Sequence, residues 1–154
     1  MTYRIRRIDD PDEYADELLE MQKTCLPEST PVKLAEGDEW WIAFLVDAPV
    51  AFAAMRPSVR WPLTGYLGRA GVLPGHRGNG LQRRLVHARI RRAQALGWQW
   101  LVSDTIDNPV SSNNLIKCGF CLYEPKIKWG FKGALYFRKY IARRGRQVKS
   151  EMPR

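Results

Sequence analysis

Twelve consecutive residues, Val72-Leu73-Pro74-Gly75-His76-Arg77-Gly78-Asn79-Gly80-Leu81-Gln82-Arg83, carry the most specific chemical pattern in the chain. Three glycines stand between an apolar run that reads as a strand and a periodic run that reads as a helix. Glycine lets a backbone approach a ligand closely. The first amides of a helix are unpaired donors with the positive end of the helix dipole behind them. Together these make an anion site, most naturally for phosphate. The P-loop pattern starts correctly, with four residues between Gly75 and Gly80. It fails at Leu81 and Gln82, where Lys and Ser or Thr must reach the phosphates and Mg²⁺. The dinucleotide fingerprint has Gly78 and Gly80 but fails at Arg83. A plain strand-to-helix turn is the bland alternative.

A third pattern fits better. The segment resembles the pyrophosphate-binding signature of the GNAT acetyltransferase superfamily, (Arg/Gln)-x-x-Gly-x-(Gly/Ala). Arg77 stands in its first place and Gly80 in its fourth. Gln82 departs from the small residue usual in the sixth. Val72-x-Pro74 precedes the signature and Leu85 follows it at the usual helix spacing. Downstream, Asn108-Pro109-Val110-Ser111 and then Leu115-Ile116-Lys117-Cys118-Gly119-Phe120 resemble the family's Asn-x-x-Ala/Ser, helix and Gly-Phe. The likeness extends to about Ile141.

The resemblance implies a site and a mechanism. Acetyl-CoA would lie in a V-shaped gap between strands 65–73 and 98–105. Backbone groups near Gly71, Val72 and Leu73 would pair with the pantetheine arm, one amide polarising the thioester carbonyl. Amides of Arg77, Gly78, Asn79, Gly80, Leu81 and Gln82 would hold the pyrophosphate, and Arg83 would meet the 3′-phosphate. Asn108, with Ser111 in the same motif, would bond the pantetheine or orient its loop. A neutral amine would attack the thioester directly, in a ternary complex, with no covalent enzyme intermediate. Many relatives place a general-acid Tyr four residues before the Gly-Phe glycine; here that position is Leu115, which has no proton to give. Tyr123, Tyr136 or water would substitute. Asp104 and Asp107 are candidates to deprotonate an ammonium through water, against the plainer readings of a solvated strand residue and a turn residue.

The elements that must position these residues follow from periodicity. Tyr3–Ile8 alternates as a strand, and 11–25 has Tyr14, Leu18, Met21 and Cys25 on one helical face. Residues 32–37 suggest a short helical turn. Runs 40–46 and 50–55 suggest a hairpin, 65–73 a strand, and 80–96 a helix on which Arg89 and Arg92 intrude into the apolar arc and should snorkel. Residues 98–105 form a strand, 110–118 a helix, and 120–123 and 134–141 two more strands. A strand–helix–strand unit over 65–105 demands a parallel crossover. The expected fold is therefore α/β (α+β). With the resemblance, it is a GNAT-like mixed, splayed sheet of about seven strands flanked by helices. It forms a single domain over 1–142, with a loose basic tail over 143–154.

Composition narrows the class. The 154 residues carry a net charge of +9, but the charge is divided. Residues 1–55 hold five basic and twelve acidic residues, and 56–154 hold twenty and four. The positive potential belongs to the part with the proposed phosphate turn. The acidic part, with Glu28, Glu36, Asp38 and Glu39, would face a cationic acceptor or simply coat the surface. No apolar run reaches the roughly 20 residues of a membrane span, and Tyr3–Asp9 lacks the core of a secretory signal. A cytoplasmic protein with no membrane partner is expected.

The remaining signals read as structure. Cys118-Gly119-Phe120-Cys121 has redox-motif spacing but falls at a helix end, where the dipole does not favour a thiolate. Cys25, His76 and His87 have no metal-site spacing, so no metal is expected. His76 reads as touching phosphate or as a solvated loop residue. Trp61 and Trp129, in loops, would line an acceptor pocket or cover the sheet end.

The sequence thus points to an acetyl-CoA-dependent N-acetyltransferase acting on a primary amine, either a small amine or a peptide or protein amino group. The absent Tyr at 115 motivates an alternative, a non-catalytic acyl-CoA-binding or sensing module. The basic later part motivates a weaker one, a nucleic-acid-binding domain. Homodimer formation is left open.

Overall fold

The computed structural model describes residues 2–31, 37–145 and 150–154. The strands are β1 (Tyr3–Ile8), β2 (Glu39–Leu45), β3 (Ala48–Pro57), β4 (Thr64–Val72), β5 (Trp100–Thr105), β6 (Cys121–Tyr123) and β7 (Leu135–Tyr140). The helices are α1 (Ala15–Cys25), α2 (Leu81–Ala95) and α3 (Pro109–Lys117). The seven strands hydrogen-bond in the order β1-β2-β3-β4-β5-β7-β6. β1, β2 and β3 are antiparallel neighbours, β4 and β5 run parallel, and β7 runs antiparallel to both β5 and β6. This is the mixed α/β sheet expected from the crossover over 65–105. The short helical turn expected at 32–37 falls, except for Gly37, outside the described residues.

The chain packs as two compact units, Met1–Arg56 with Gly68–Leu85 and Pro57–Leu67 with Val86–Arg154. In the first, α1 buries Leu18 and Met21 against Ile8, Trp40, Ile42, Phe44, Phe52 and Ala54 of β1–β3. Tyr14 and Cys25, on the same helical face, pack on the edge of that core. β2 is apolar on both sides and is buried from Trp40 to Phe44, unlike the one-sided β1.

In the second unit, α3 opens with a side-chain cap. Asn108 Oδ1 accepts the Ser111 amide at 3.0 Å, and Pro109 occupies the first turn. Ser112 on this helix meets Thr105 of β5 through a buried hydroxyl pair, Oγ to Oγ1, at 2.8 Å. Leu115 is buried.

Two features differ from expectation. Arg89 does not snorkel: it is 2% exposed. Its desolvation lowers the guanidinium pKa to about 10, and the Cys118 thiol beside it opposes that shift. Nor is the end of the chain wholly loose. The Ser150 amide donates to Gln99 Oε1 at 2.6 Å, and the buried Pro153 offers its carbonyl to Arg138. The basic residues Arg146 and Lys149 lie outside the described residues. Those two backbone contacts tie down the last residues of the chain.

Candidate functional site

The glycine-rich turn lies in the first unit. β4 ends at Val72, a short 3-10 turn spans Pro74–His76, and α2 starts at Leu81. Gly78 and Gly80 have φ of +81° and +72°, in the left-handed region that disfavours side chains. No heavy atom lies within 4 Å of where a Cβ would stand on Gly75 or Gly78. At Gly80 the nearest is an Arg83 guanidinium nitrogen, 3.9 Å away. The turn therefore presents backbone, with one arginine folded beside it. Leu81 is buried and anchors the helix start, while Gln82 is half-buried.

Side chains brace this turn from behind. The Asn79 side-chain amide donates to the His76 carbonyl at 3.0 Å, the Arg77 carbonyl at 3.3 Å and Tyr3 Oη at 3.3 Å. Tyr3 Oη also meets His76 Nδ1 at 3.2 Å, and Arg84 donates to the Tyr3 carbonyl at 3.0 Å. The Asn79 side chain is thus a tie within the turn. His76, read from sequence as touching phosphate or solvated, is bonded to Tyr3. Tyr3 was not foreseen as part of this region, being 73 residues away in the chain.

The strand leading into the turn is also specific. Leu73 spends its amide on the Val50 carbonyl of β3 at 2.9 Å and its carbonyl on the His76 amide at 2.9 Å. Successive strand residues point their amide and carbonyl to opposite edges. Val72 therefore turns its amide and carbonyl away from β3. Its carbonyl accepts from Arg77 Nε at 3.1 Å. Gly71 is a close-approach position: a Cβ there would come within 2.5 Å of Cys25 Cβ and 2.8 Å of Phe52 Cε1. Burial raises the Cys25 thiol pKa, and the neighbouring Arg77 guanidinium works against that rise.

Acidic residues of the first unit are partly committed internally. Glu39 pairs with Arg7 at 3.0 Å. Burial raises the Asp38 pKa, offset by Arg56.

The second unit holds a different arrangement. Tyr66 of β4 donates its hydroxyl to Asp104 Oδ1 of β5 at 2.6 Å. Asp104 is the register partner of Tyr136 on β7, and Tyr136 faces Tyr123 across β6 and β7. Trp129 stands edge-on to Tyr136, Tyr66 and Trp61, with ring centroids 4.8, 5.8 and 6.4 Å apart. Its indole Nε1 donates to Tyr123 Oη at 3.3 Å. The Gly130 amide donates to Tyr136 Oη at 3.0 Å. Arg138 lies 4.4 Å over the Tyr123 ring and reaches the Pro153 carbonyl with the same guanidinium.

This cluster brings together three of the four residues proposed from sequence for proton transfer, Asp104, Tyr123 and Tyr136, and leaves out Asp107. It adds Tyr66, Gly130 and Arg138, which sequence reasoning missed. The signal lay in strand register, since Asp104 and Tyr136 become neighbours only once β5 and β7 pair. The indole N–H on the Tyr123 oxygen can only donate, so that bond does not use the phenol proton. Burial pushes the Tyr123 phenol pKa up, which keeps it protonated; the Trp129 bond and Arg138 act in the opposite direction. Asp107 is exposed, with φ of +46°, and serves the turn before α3. Asn108 caps α3 through its Oδ1. Among the described residues, no three His, Cys, Asp or Glu side chains form a group able to hold a metal ion. No described helix is long and apolar enough to cross a membrane.

Known proteins give the same fold. A sequence model of the acetyltransferase (GNAT) family matches residues 2–120. No curated protein matches. An N-acetyltransferase from Staphylococcus aureus Mu50 superposes with a TM-score of 0.73 at 17% identity, covering 92% of this chain and 99% of the other. The ribosomal-protein-S18-alanine N-acetyltransferase of Escherichia coli gives 0.72 at 15%, covering 96% and 99%. A Bacillus subtilis acetyltransferase in complex with CoA gives 0.69 at 19%, covering 92% and 99%.

Proposed function

The chain belongs to the GNAT acetyltransferase family, and we propose that it transfers the acetyl group of acetyl-CoA to a primary amine. The observation that carries this reading is the turn over 77–82. Two left-handed glycines put no side chain over the main chain at the start of α2, and they stand where the family places its pyrophosphate signature. The donor set fits a CoA pyrophosphate: main-chain amides, a positive helix end and Arg83 alongside, with no carboxylate in the segment. The fold of the CoA-bound Bacillus subtilis acetyltransferase supports the same cofactor.

Each residue then has a role. Amides of Gly78 to Gln82 hold the pyrophosphate, while the Arg77 amide is turned to the Pro74 carbonyl at 3.5 Å. Arg83 meets the 3′-phosphate. Val72, with its backbone turned from β3, pairs with the pantetheine arm. Asp104 receives the proton that the ammonium must lose before attack. Tyr123 gives a proton to the leaving thiolate. The amine nitrogen forms the new bond to the acetyl carbon as the carbon–sulfur bond breaks. Amide and free CoA thiol are the products, and the chain itself is never acylated.

The test is thiol release from acetyl-CoA with a broad panel of amines. Release that requires an amine, with matching acetylated product by mass, is expected. Binding of acetyl-CoA without turnover for any amine would favour the alternative module that senses acyl-CoA. Leu115, buried where relatives carry a Tyr, is the specific observation behind that alternative.

A further inference from the structure

Arg138 of β7 bridges two parts of the second unit. Its guanidinium carbon lies 4.4 Å from the centroid of the Tyr123 ring, and its Nη1 donates to the Pro153 carbonyl. Tyr123 pairs with Tyr136 in the register of β6 and β7. Arg138 stands two residues further along β7, so its reach to Tyr123 is the diagonal one across an antiparallel pair. Segment 150–154 makes a second contact, the Ser150 amide on Gln99 Oε1 at 2.6 Å. Gln99, just before β5, is buried, and so is Pro153. The segment is therefore pinned at two points, and one of them is the cation that stacks on Tyr123.

An arginine side chain has several free torsions, and a stack on one ring holds it only weakly. A carbonyl on one arm of the planar fork fixes the direction of the whole guanidinium. That carbonyl is also neutral. A carboxylate in its place would cancel the charge, whereas a carbonyl orients the guanidinium and leaves its charge on the ring face. Other groups face the same phenol. The Trp129 indole donates to its oxygen, Tyr136 stands edge-on to its ring, and Arg60 acts on it from the connection between β3 and β4. The Arg138 charge favours the phenolate and so works against the burial of Tyr123. We propose that segment 150–153 positions Arg138 on Tyr123, so that docking of this segment controls proton delivery from the phenol. Arg138 acts through Tyr123 and is a positioning residue. Calling the phenol the acid rests on the transferase reading above; the coupling of segment, guanidinium and phenol does not.

The first readout needs no cofactor. Tyrosinate absorbance is followed after rapid pH jumps, before the chain can unfold. Subtracting the same protein with Tyr123→Phe isolates the one phenol. Arg138→Met should raise its titration midpoint by about half a pH unit or more, a roughly three-fold gain in proton affinity. Arg138→Lys, which keeps the charge and loses the fork, should fall between the two. A chain lacking 150–154 should move the midpoint in the same direction. Ser150→Pro, which removes the amide given to Gln99 at full chain length, should do so as well. On the Arg138→Met background the deletion should add nothing. An unmoved midpoint in Arg138→Met would overturn the proposal. So would an Arg138→Met shift that neither segment variant follows, or a further shift from the deletion on that background. With an amine that supports turnover, the alkaline limb of kcat should move up with the midpoint while the KM for acetyl-CoA stays unchanged. If the phenol shifts and no amine supports turnover, only the transferase reading fails. If turnover is found and the phenol does not shift, only this coupling fails.

Discussion

The turn over 72–83 and the cluster around Asp104 are built on opposite principles. The turn is twelve consecutive residues whose working groups are main-chain amides. The cluster draws Trp61, Tyr66, Asp104, Tyr123, Trp129 and Tyr136 from four strands and two connections, and its working groups are all side chains. Main-chain chemistry is set by backbone conformation, and two φ values above +70° must be glycine for that conformation to be cheap. A site of that kind is written in local spacing. Side-chain chemistry is set by which strands pair and in what register, so the second site is scattered over 76 positions of sequence.

The two regions should therefore fail in different ways. The largest effect is expected at Gly80→Trp. A bulky side chain at a left-handed position beside the proposed pyrophosphate amides should abolish the stabilisation that acetyl-CoA gives by linkage. At a ligand concentration of 100 times Kd that stabilisation is about 2.7 kcal/mol, or a melting shift of roughly 5–10 °C for a domain of this size. Thermal melts with and without ligand measure it. A retained shift would mean that the turn is not where CoA binds.

Tyr123→Phe comes next and touches only the cluster. It removes one hydroxyl and leaves the ring under Arg138. kcat should fall by about 10²-fold with the KM for acetyl-CoA unchanged, the usual scale for a lost general acid. Burial raises the Tyr123 pKa, so the acid form persists above the ordinary phenol range. Wild-type kcat should therefore decline on the alkaline side as pH rises through that raised value, and the Phe variant should lack this limb. A KM effect in place of a kcat effect would blur the distinction between the regions.

Asn79→Ala sharpens it. This side chain ties the His76 and Arg77 carbonyls to Tyr3. The amides it organises should still bind, but about 5–10-fold more weakly, in line with the roughly 1 kcal/mol of a typical hydrogen bond. Calorimetric titration with CoA reads this. The smallest functional change is expected from Asn108→Ala. Loss of the cap on α3 should cost about 1 kcal/mol of stability in urea unfolding. If its role is the cap alone, CoA affinity should hardly move.

The legibility of the fold follows the same division. β1, α1, the β2–β3 hairpin, α2 and α3 were readable because each buries one periodic face or carries local boundary signals, Pro109 starting α3 and Gly97 following α2. Arg89 was misjudged because periodicity places a residue on a face but says nothing about what covers its head group. The docking of Ser150 and Pro153 was invisible because it uses Gln99 and Arg138 from distant strands, with no pattern of its own. At the turn, spacing identified the glycines but not Tyr3, whose hydroxyl arrives from the other end of the chain. At the cluster, sequence supplied Asp104, Tyr123 and Tyr136 as separate candidates. The pairing of β5 with β7 made two of them neighbours.

Central to this account is the claim that the amides of Gly78 to Gln82 are a pyrophosphate site. Calorimetric titration of the wild-type protein with CoA, dephospho-CoA and pantetheine tests it most directly. CoA should bind most tightly. Dephospho-CoA should lose a modest factor, through Arg83. Pantetheine, which lacks the pyrophosphate, should lose about 100-fold or more, near 2.7 kcal/mol. Pantetheine binding as tightly as CoA, or no CoA binding at millimolar concentration, would contradict it.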